Sequence, residues 1–259
     1  MFKLTILLLI TIPIQKASAS SCQHFFTIGT QNLWHYPYSY QKRLKNLIDN
    51  TNNLPDILGL QEAWTSFSRS LFWELADEVN HNYFFTETNK WPGFNEGLAI
   101  KTSFKILQKK YFELPYSKWK SKRVAQLTLI QLLNKKIWVI NTHLSPFNFN
   151  KERIAQVEFI FKKIMSLPSN DTIFLIGDLN AEMESGIFDK LLNHNFKSVQ
   201  AINPMTTYSK KNKFTDGKYN SAIDHIFYRA KGVKYINSNL IFNKKLISDH
   251  YGLSAQFCY

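Results

Sequence analysis

TIFLIGDLNAE, residues 172–182, begins with five residues that suit a buried strand and then becomes polar at Asp178 and Asn180. Taken alone, this ending would form a turn, because Asp, Asn and Gly are the residues that turns prefer. A functional site is the alternative. The distinction depends on whether other strands of the chain end in the same way.

Other short apolar runs predict further strands, because they are rich in β-branched and aromatic residues. The runs lie at 25–29, 57–60, 97–100, 124–133, 137–140, 172–176, 226–228 and 253–257. Residues 137–140 and 172–176 are apolar throughout and predict strands that are covered on both faces. The alternation at the start of 124–133 predicts a half-exposed strand.

Helical spacing of apolar residues occurs in two segments, 40–51 and 151–166. In the second segment the predicted buried face comprises Ile154, Val157, Ile160, Phe161 and Ile164. Strands outnumber helices, which indicates a layered α/β protein rather than a helical bundle. We find no internal repeat and no Pro/Gly-rich linker, so a single domain is expected.

The first residues predict a signal peptide. Lys3 supplies a basic start, residues 4–14 form an apolar core, and residues 17–19 (Ala-Ser-Ala) resemble a cleavage site. We expect residues 1–19 to be removed and residues 20–259 to form one exported domain, secreted or periplasmic, with no transmembrane segment. A signal anchor and a lipoprotein attached through Cys22 are the alternatives.

The formal charge of the chain is +13, and it falls to +11 when Lys3 and Lys16 are removed with the signal peptide. This charge favours an anionic partner such as nucleic acid, an acidic membrane surface or a phosphorylated substrate. The abundance of Lys, Asn, Ile and Phe could also reflect genome base composition. Cys22 and Cys258 could form a disulfide in an oxidising compartment, and their spacing alone leaves two free thiols equally open.

Polar residues stand at the ends of six predicted strands. They are Asn32, Gln61-Glu62, Asn141 with His143, Asp178 with Asn180, Asp224-His225 and Asp249-His250. Open sheets place their ligand sites at strand ends. Together these residues predict an acidic pocket that contains histidine.

The chemistry of this set is that of a hydrolase. The sequence has no zinc-type Cys/His spacing, no Gly-rich phosphate loop and no G-x-S-x-G motif. Glu62 with Asn32 and Asp249 would form a hard oxygen site for Mg²⁺, with Mn²⁺ or Ca²⁺ as alternatives. An imidazole beside a carboxylate suits a general base. A metal, a base and amide donors together support attack by water on a phosphoester.

The motifs NLW, LQE, NTHL, GDLN, IDHIF and SDHYGL, in this order, resemble those of the endonuclease/exonuclease/phosphatase superfamily. The resemblance extends over residues 25–257. It implies a four-layer α/β/β/α sandwich of two mixed, mainly antiparallel sheets flanked by helices, and a Mg²⁺-dependent hydrolase that acts as a monomer.

The resemblance also implies roles for individual residues. Glu62 corresponds to the main metal ligand, assisted by Asn32 and Asp249. His250 corresponds to the general base or to the group that holds the attacking water, and Asp224 orients it.

The resemblance assigns six further residues to the surroundings of the phosphate. Asp178 and Asn180 match the pair that positions the nucleophile and contacts the phosphate, and His143 binds the phosphate or helps to protonate the leaving group. Glu96 would be the carboxylate partner of His143. Asn141 and Arg123 would contact the phosphate, whereas His225 is expected to be structural.

The same resemblance bears on the cysteines, because the first and last strands of this superfamily lie close together. Two antiparallel strands leaving the site would bring Cys22 and Cys258 together at the opposite end, so a disulfide is favoured.

The substrate is less well determined. A nuclease similar to deoxyribonuclease I is the first hypothesis, supported by the basic charge, Arg123 and Glu96. A sphingomyelinase-like lipid phosphodiesterase is the alternative, because Trp34, Tyr36, Tyr38 and Trp91 would suit a membrane interface. A phosphoinositide-type phosphatase and a non-catalytic binding protein are further hypotheses.

Overall fold

The structure is a computed structural model that describes residues 22–66, 70–78, 81–91, 94–115 and 122–259. The predicted signal peptide lies outside the described residues. The strands are β1 (Phe25–Asn32), β2 (Ile57–Ser66), β3 (Asn82–Trp91), β4 (Phe94–Thr102), β5 (Lys105–Glu113), β6 (Val124–Leu132), β7 (Lys135–His143), β8 (Thr172–Asp178), β9 (Lys197–Ser198), β10 (Tyr208–Ser209), β11 (Asn220–Ser221), β12 (Asp224–Arg229), β13 (Lys234–Ile241) and β14 (Gly252–Cys258). The helices are α1 (Tyr40–Ile48), α2 (Leu71–Glu78), α3 (Asn150–Met165), α4 (Asp189–Leu192) and α5 (Val199–Ile202), with 3₁₀ turns at Thr51–Asn53 and Met183–Ser185.

Two six-stranded sheets form the centre of the fold. The first has the strand order β13-β14-β1-β2-β4-β3, and the second has the order β5-β6-β7-β8-β12-β9. Each sheet is mixed: β1 runs parallel to β2, β7 runs parallel to β8, and the other pairings are antiparallel. A separate two-stranded ribbon, β10-β11, lies beside them.

Three apolar cores separate the layers. One, which includes Phe26 and Phe174, lies between the two sheets. A second joins the outer face of the second sheet to α3 and α4, and a third joins the first sheet to α1 and α2. The predicted four-layer α/β/β/α sandwich is therefore confirmed.

All eight predicted apolar runs form strands, and both predicted helices are present. Two details were wrong. Ile154 is 41% exposed, whereas the buried face of α3 includes the polar residues Arg153 and Gln156. The start of β6 is buried on both faces, because Gln126 points between the sheets and donates to the carbonyls of Phe84 and Leu98.

The chain ends are joined by a disulfide between Cys22 and Cys258, whose Cα atoms lie 5.5 Å apart. Cys258 pairs with Phe25 at the start of β1, whereas Asn32 lies at the other end of that strand. The predicted pairing is therefore present in the structure, remote from the polar strand ends. Within the part of the chain that the structure describes, no helix has the length and apolar character needed to cross a membrane.

Candidate functional site

The polar strand ends of the two sheets meet at one edge of the sandwich. His143 ends β7 and Asp178 ends β8, and these two residues are opposite each other in the parallel pairing of the strands. Asp224 begins β12 and pairs with Asp178 on its other side. Asn32 ends β1, and its side chain reaches across to Asp178 from the first sheet. The ends of β1, β7 and β8 and the start of β12 therefore bring these four side chains together, whereas Glu62, predicted at a strand end, lies inside β2.

Glu62 is positioned by a bulge within its strand. It lies inside β2 rather than at its end, where the pairing with β4 shifts between Leu60 and Ala63. Its backbone has a φ of 48°, which is uncommon for a residue other than glycine. A bulge of this kind redirects a side chain out of the regular alternation of the strand. Glu62 is thereby turned towards the end of the neighbouring β1.

The turn after β8 places Asp178 and Asn180 together. Gly177 has a φ of 147°, and a Cβ at this position would lie 1.9 Å from the carbonyl oxygen of Thr142, so no larger residue fits. Asn180 has a φ of 50°, and its backbone N–H donates to Asp178 Oδ1 at 3.0 Å. Its side-chain amide donates to the Leu144 carbonyl at 3.1 Å. The segment is a turn and part of the site at once.

Asp178 is the centre of this cluster. Its Oδ2 accepts a hydrogen bond from Asn32 Nδ2 at 3.0 Å and lies 3.4 Å from His143 Nε2 and 3.8 Å from His250 Nε2. Burial and the nearby charge of Asp224 raise the pKa of Asp178, while His250 and Asn32 oppose them, leaving it at about 7. A carboxylate with a pKa near neutrality can take up and release a proton at physiological pH.

His250 is held by two carboxylates. Its Nδ1 lies 2.8 Å from Asp224 Oδ2, and its Nε2 faces Asp178. Burial lowers the pKa of His250, but the charges of Asp224 and Asp178 raise it well above its ordinary value. Asp224 therefore fixes the orientation of the ring and stabilises its protonated form.

A second cluster contains His35, which the sequence analysis did not single out. One ligand atom each from His35, Glu62 and Glu96 lie within 4.8 Å of one another. His35 Nδ1 lies 2.5 Å from Glu62 Oε2 and 4.0 Å from Glu96 Oε2, and the His35 backbone N–H also donates to Glu62 at 3.0 Å. The position of His35 three residues after Asn32 is the one sequence signal that could have identified it.

The charged groups of this second cluster lie close enough to shift one another's pKa values. Burial and the charge of Glu62 raise the pKa of Glu96, and they also raise the pKa of Asp249, to about 6. Burial lowers the pKa of His35, but Glu62, Glu96 and Asp249 raise it by more. Three carboxylates around one imidazole form a site that a cation would stabilise.

Two predicted metal ligands have other contacts here. The Asn32 amide oxygen accepts the backbone N–H of Trp34 at 2.8 Å, and its nitrogen donates to Glu62 at 3.1 Å as well as to Asp178. Asn32 thus links the two clusters. Asp249 accepts a hydrogen bond from Ser248 Oγ at 3.1 Å and lies outside the set formed by His35, Glu62 and Glu96.

Arg123 lies between the clusters. It lines a narrow cavity together with Glu62, Glu96 and His143. Burial lowers the pKa of Arg123 from its ordinary value, and the charges of Glu96, Glu62 and Asp178 oppose this by favouring the protonated form. Burial and the charge of Arg123 lower the pKa of His143 well below its ordinary value, so this imidazole is neutral at pH 7. Arg123 and His143 thus lie together beside the two clusters, and their roles towards a phosphate stay predictions.

Two predictions were wrong: that Asn141 contacts a phosphate and that Glu96 pairs with His143. Asn141 is fully buried between the sheets, where its amide nitrogen donates to Leu60 and Ala99 and its oxygen accepts from Gln61. It therefore has no free group for a phosphate.

The predicted pairing of Glu96 with His143 is also absent among the described contacts, because Glu96 faces His35 and His143 pairs with Asp178. His225 has the structural role that was expected. Its Nε2 lies 2.7 Å from the Ala181 carbonyl in the core.

The loop that carries His35 is held by the buried Arg43 of α1. The guanidinium of Arg43 donates to the carbonyls of Leu33, Trp34, Tyr36 and Tyr38, and its Nε donates to the carbonyl of Ile247 at 2.6 Å. Ile247 is two residues before Asp249. One arginine therefore ties together the two loops that carry His35 and Asp249.

The sequence matches the model of the Endonuclease/Exonuclease/phosphatase family over residues 29–250. Among curated proteins, none matches the chain significantly. The solved structures that share the fold include an endonuclease/exonuclease/phosphatase family protein from Leptotrichia buccalis C-1013-b. It has 18% sequence identity and a TM-score of 0.72, and the match covers 90% of this chain and 100% of that one.

Two further solved structures are similar. TDP2 from D. rerio, complexed with a single-strand DNA product, has 20% identity and a TM-score of 0.71, with 91% of this chain and 99% of that chain covered. The human Nocturnin catalytic domain with a bound sulfate anion has 17% identity and a TM-score of 0.73, with 90% and 93% covered. At these identities the likeness establishes the shared fold.

Proposed function

The chain belongs to the endonuclease/exonuclease/phosphatase family, whose members are generally metal-dependent phosphoesterases, and on that premise we propose that it is a Mg²⁺-dependent phosphodiesterase acting on nucleic acid. One observation carries the proposal. Asp178, a carboxylate with a pKa of about 7, lies within 3.8 Å of two imidazoles and directly beside the carboxylate cluster of Glu62. Metal-assisted hydrolysis requires a base and a metal site next to each other.

The residues of the second cluster fit a divalent cation. Glu62 and Glu96 supply carboxylate oxygens and His35 supplies an imidazole nitrogen, with Asp249 close enough to interact with Glu62. Carboxylates suit Mg²⁺, and an added imidazole also suits Mn²⁺. When bound, the ion would polarise the phosphoryl oxygen and stabilise negative charge on it.

The proton of the attacking water would go to the Asp178–His250 pair. Asp178 Oδ2 and His250 Nε2 are 3.8 Å apart, which allows one water molecule to contact both. As the water oxygen bonds to phosphorus, its proton passes to this pair, and the bond from phosphorus to the leaving oxygen breaks. The leaving oxygen keeps the electron pair and takes a proton from the solvent, while Asp224 stabilises the positive charge on the His250 ring. Asp178 and His250 thus act as one base rather than as two separate groups.

The phosphate would be bound by the donors opposite the base. Arg123 contributes a fixed positive charge, and neutral His143 can donate a hydrogen bond without adding charge. Asn180, held in place by Asp178 and Leu144, lines the neighbouring groove together with His250. These groups would stabilise the extra negative charge that develops on the phosphoryl oxygens during the reaction.

Nucleic acid is the proposed substrate because of the charge of the protein. The formal charge is +13, and a polyanion with one phosphate per nucleotide would be attracted to it. A structural neighbour, TDP2 from D. rerio, was solved with a single-strand DNA product. Backbone phosphates of a nucleic acid would also suit a site that contains Arg123.

A sphingomyelinase-like activity is the second candidate. Tyr36 and Tyr38 are 55% and 65% exposed next to the His35 loop, and aromatic residues of this kind are favoured at membrane interfaces. Trp34, by contrast, packs against Phe214 and under Arg43. The side chain of Trp91 lies outside the described residues.

We also propose that the protein is exported, through the predicted signal peptide of residues 1–19, and acts as a monomer. The disulfide between Cys22 and Cys258 supports export, because such bonds persist mainly in oxidising compartments.

The proposed function is tested by giving the purified protein and Mg²⁺ to plasmid DNA, single-stranded DNA, RNA and sphingomyelin vesicles. We expect cleavage of nucleic acid that EDTA abolishes and that is lost in His250→Ala. Cleavage of sphingomyelin without cleavage of nucleic acid would overturn the substrate assignment. Unchanged hydrolysis by His250→Ala would overturn the catalytic one.

Metal binding is measured separately by calorimetry with Mn²⁺ and Mg²⁺. Glu62→Gln should weaken binding about 100-fold or more, because it removes a charged ligand. Glu113→Gln, on the exposed part of β5, is the control and should bind as the unaltered protein does. Equal affinity in both variants would show that the ion binds elsewhere.

A further inference from the structure

A groove of about 560 Å³ opens directly beside the catalytic pair. His250 and Asn180 form its inner end, and the rings of Phe147, Tyr208 and Tyr219 line it. The Tyr208 ring lies 5.2 Å from the His250 ring. Ligand sites of this size accommodate small organic groups. A ligand in the groove would therefore lie next to the phosphate that His250 and Asn180 are proposed to act on.

Two rings of the groove are exposed, and the loop that carries one of them, Phe147, is well anchored. Phe147 is 72% exposed, and the Arg153 guanidinium carbon lies 5.5 Å from its ring centroid. Arg153 also donates to the Pro146 carbonyl at 2.6 Å, which fixes the loop that carries Phe147. Tyr219 is 59% exposed in the segment between β10 and β11. Exposed rings on an anchored backbone provide stacking surfaces at little entropic cost.

The surroundings of the groove are polar and basic. Asn148 and Ser221 contribute polar edges to its lining. Tyr208 lies in β10 and Tyr219 in the segment between β10 and β11, which also carries the exposed Lys210 and Lys211. A planar group with hydrogen-bonding edges, attached to a phosphate backbone, would be complementary to the aromatic rings, the polar edges and the lysines.

We propose that this groove binds an unpaired nucleobase next to the scissile phosphate, so that the substrate is single-stranded nucleic acid. The inference rests on the proposed function. Aromatic side chains bind single-stranded nucleic acid by stacking on its bases, and lysines follow the backbone. A base within a duplex is already stacked and paired, so it would have to leave the helix to enter the groove.

A lipid chain fits the groove less well. An acyl chain would leave the polar edges of Asn148 and Ser221 without partners, which costs free energy. Lipid binding is therefore an outcome that the test must distinguish.

The test measures binding with an inactive form of the full chain, Asp178→Asn, so that the substrate is not consumed. Phe147→Ala and Tyr219→Ala are each added to it, with Tyr111→Ala as the matched control. Tyr111 is 58% exposed on β5, nearly the same as Tyr219, and does not line the groove. The probes are a fluorescent oligothymidylate, an abasic strand of the same length, and the oligothymidylate annealed to its complement.

We expect Phe147→Ala and Tyr219→Ala to weaken binding of the oligothymidylate by about 5- to 100-fold each. Binding of the abasic strand and of the duplex should change by less than about twofold, and Tyr111→Ala should have no effect. Equal losses for the abasic strand, or no loss for the oligothymidylate, would overturn the inference.

Two further measurements separate this inference from the proposed function. If the active protein cleaves single-stranded DNA while Phe147→Ala and Tyr219→Ala leave its KM unchanged, the groove assignment fails and the activity stands. If the unaltered protein cleaves no nucleic acid, the proposed function fails, whatever the groove binds. Loss of sedimentation with sphingomyelin vesicles in Phe147→Ala, with oligothymidylate binding retained, would assign the groove to lipid.

Discussion

Asp178 shows how the environment of one side chain sets its chemistry. The carboxylate is 1% exposed, and it has neutral His143 on one side and the protonated His250 on the other. Burial raises its pKa, and the positive charge of His250 lowers it. The final value of about 7 therefore depends on His250 being present.

We predict that Asp178 titrates near pH 7 in the metal-free protein and that His250→Gln raises this pKa further. Removing the imidazolium removes a positive charge that favours the carboxylate, so protonation becomes easier. The measurement is ¹³C NMR of the aspartate carboxyl groups as a function of pH. A midpoint near pH 4 for Asp178 would contradict the prediction.

His225 provides a second prediction, for stability. Burial among Phe188 and Phe227 lowers its pKa to about 4, and the hydrogen bond to the Ala181 carbonyl opposes this shift only in part. The unfolded chain binds a proton at His225 more readily than the folded protein does, so stability is lost as the pH falls from about 6.5 towards about 4. Its contribution to stability is complete above about pH 6.5.

Between about pH 7.5 and about pH 5, His225 should account for a fall of about 2 kcal/mol in the free energy of unfolding. His225→Gln keeps an amide donor for Ala181 but does not titrate, so its stability should fall by about 2 kcal/mol less over the same range. Urea unfolding at several pH values measures the difference. Parallel stability curves for the two proteins would refute the assignment.

At the scale of elements, the positions of β7 and β8 depend on the absence of a side chain at Gly177. A Cβ there would lie 1.9 Å from the Thr142 carbonyl oxygen. We predict that Gly177→Ala destabilises the protein by about 3 kcal/mol or more, through strain and separation of the strands. Urea unfolding gives this value. Because Asp178 follows directly, the variant should also reduce activity.

Gly217 supplies the matched comparison. It also has a positive φ, 75°, but a Cβ added to it would meet no atom within 4 Å. Gly217→Ala should therefore cost about 1 kcal/mol, the price of the left-handed conformation alone. Equal effects of the two substitutions would show that contact with Thr142 is not the cause.

The strands that the sequence analysis missed share a location. Among the longer strands, β3, β5 and β13 were not predicted, and each lies at the edge of a sheet. β5, for example, has most of its residues exposed or half-exposed. An edge strand meets solvent along one side and carries charged residues that prevent aggregation, so its pattern resembles that of a loop. Central strands are recognisable because both faces are covered.

The candidate site, like the strands, could be predicted only in part from the sequence. Residues that end central strands, such as Asp178 and His143, follow an apolar run and could be identified. His35 was missed, because it follows no apolar run closely and its loop is held by Arg43, which reaches the carbonyls of Leu33 and Trp34 from a separate helix. Asn141 was assigned wrongly because it shares a face with His143 but lies two residues deeper in the sandwich, where only protein groups reach it.

At the scale of the whole molecule, the disulfide joins the two ends of the described chain across 236 positions in sequence. It lies at the end of β1 and β14 opposite to Asn32 and His250, so it should influence stability without altering the site. A crosslink that closes a long loop restricts the unfolded chain strongly. Its contribution should therefore appear in unfolding and leave substrate binding unchanged.

We predict that the double variant Cys22→Ser, Cys258→Ser unfolds with a free energy about 2 to 5 kcal/mol lower than the oxidised protein. Urea unfolding with and without a reductant measures this: the reductant should lower the stability of the unaltered protein to that of the variant and leave the variant unchanged. KM for single-stranded DNA should be the same in both, because Cys258 pairs with Phe25, at the end of β1 remote from Asn32. Two free thiols in the mass of the exported protein would contradict the pairing.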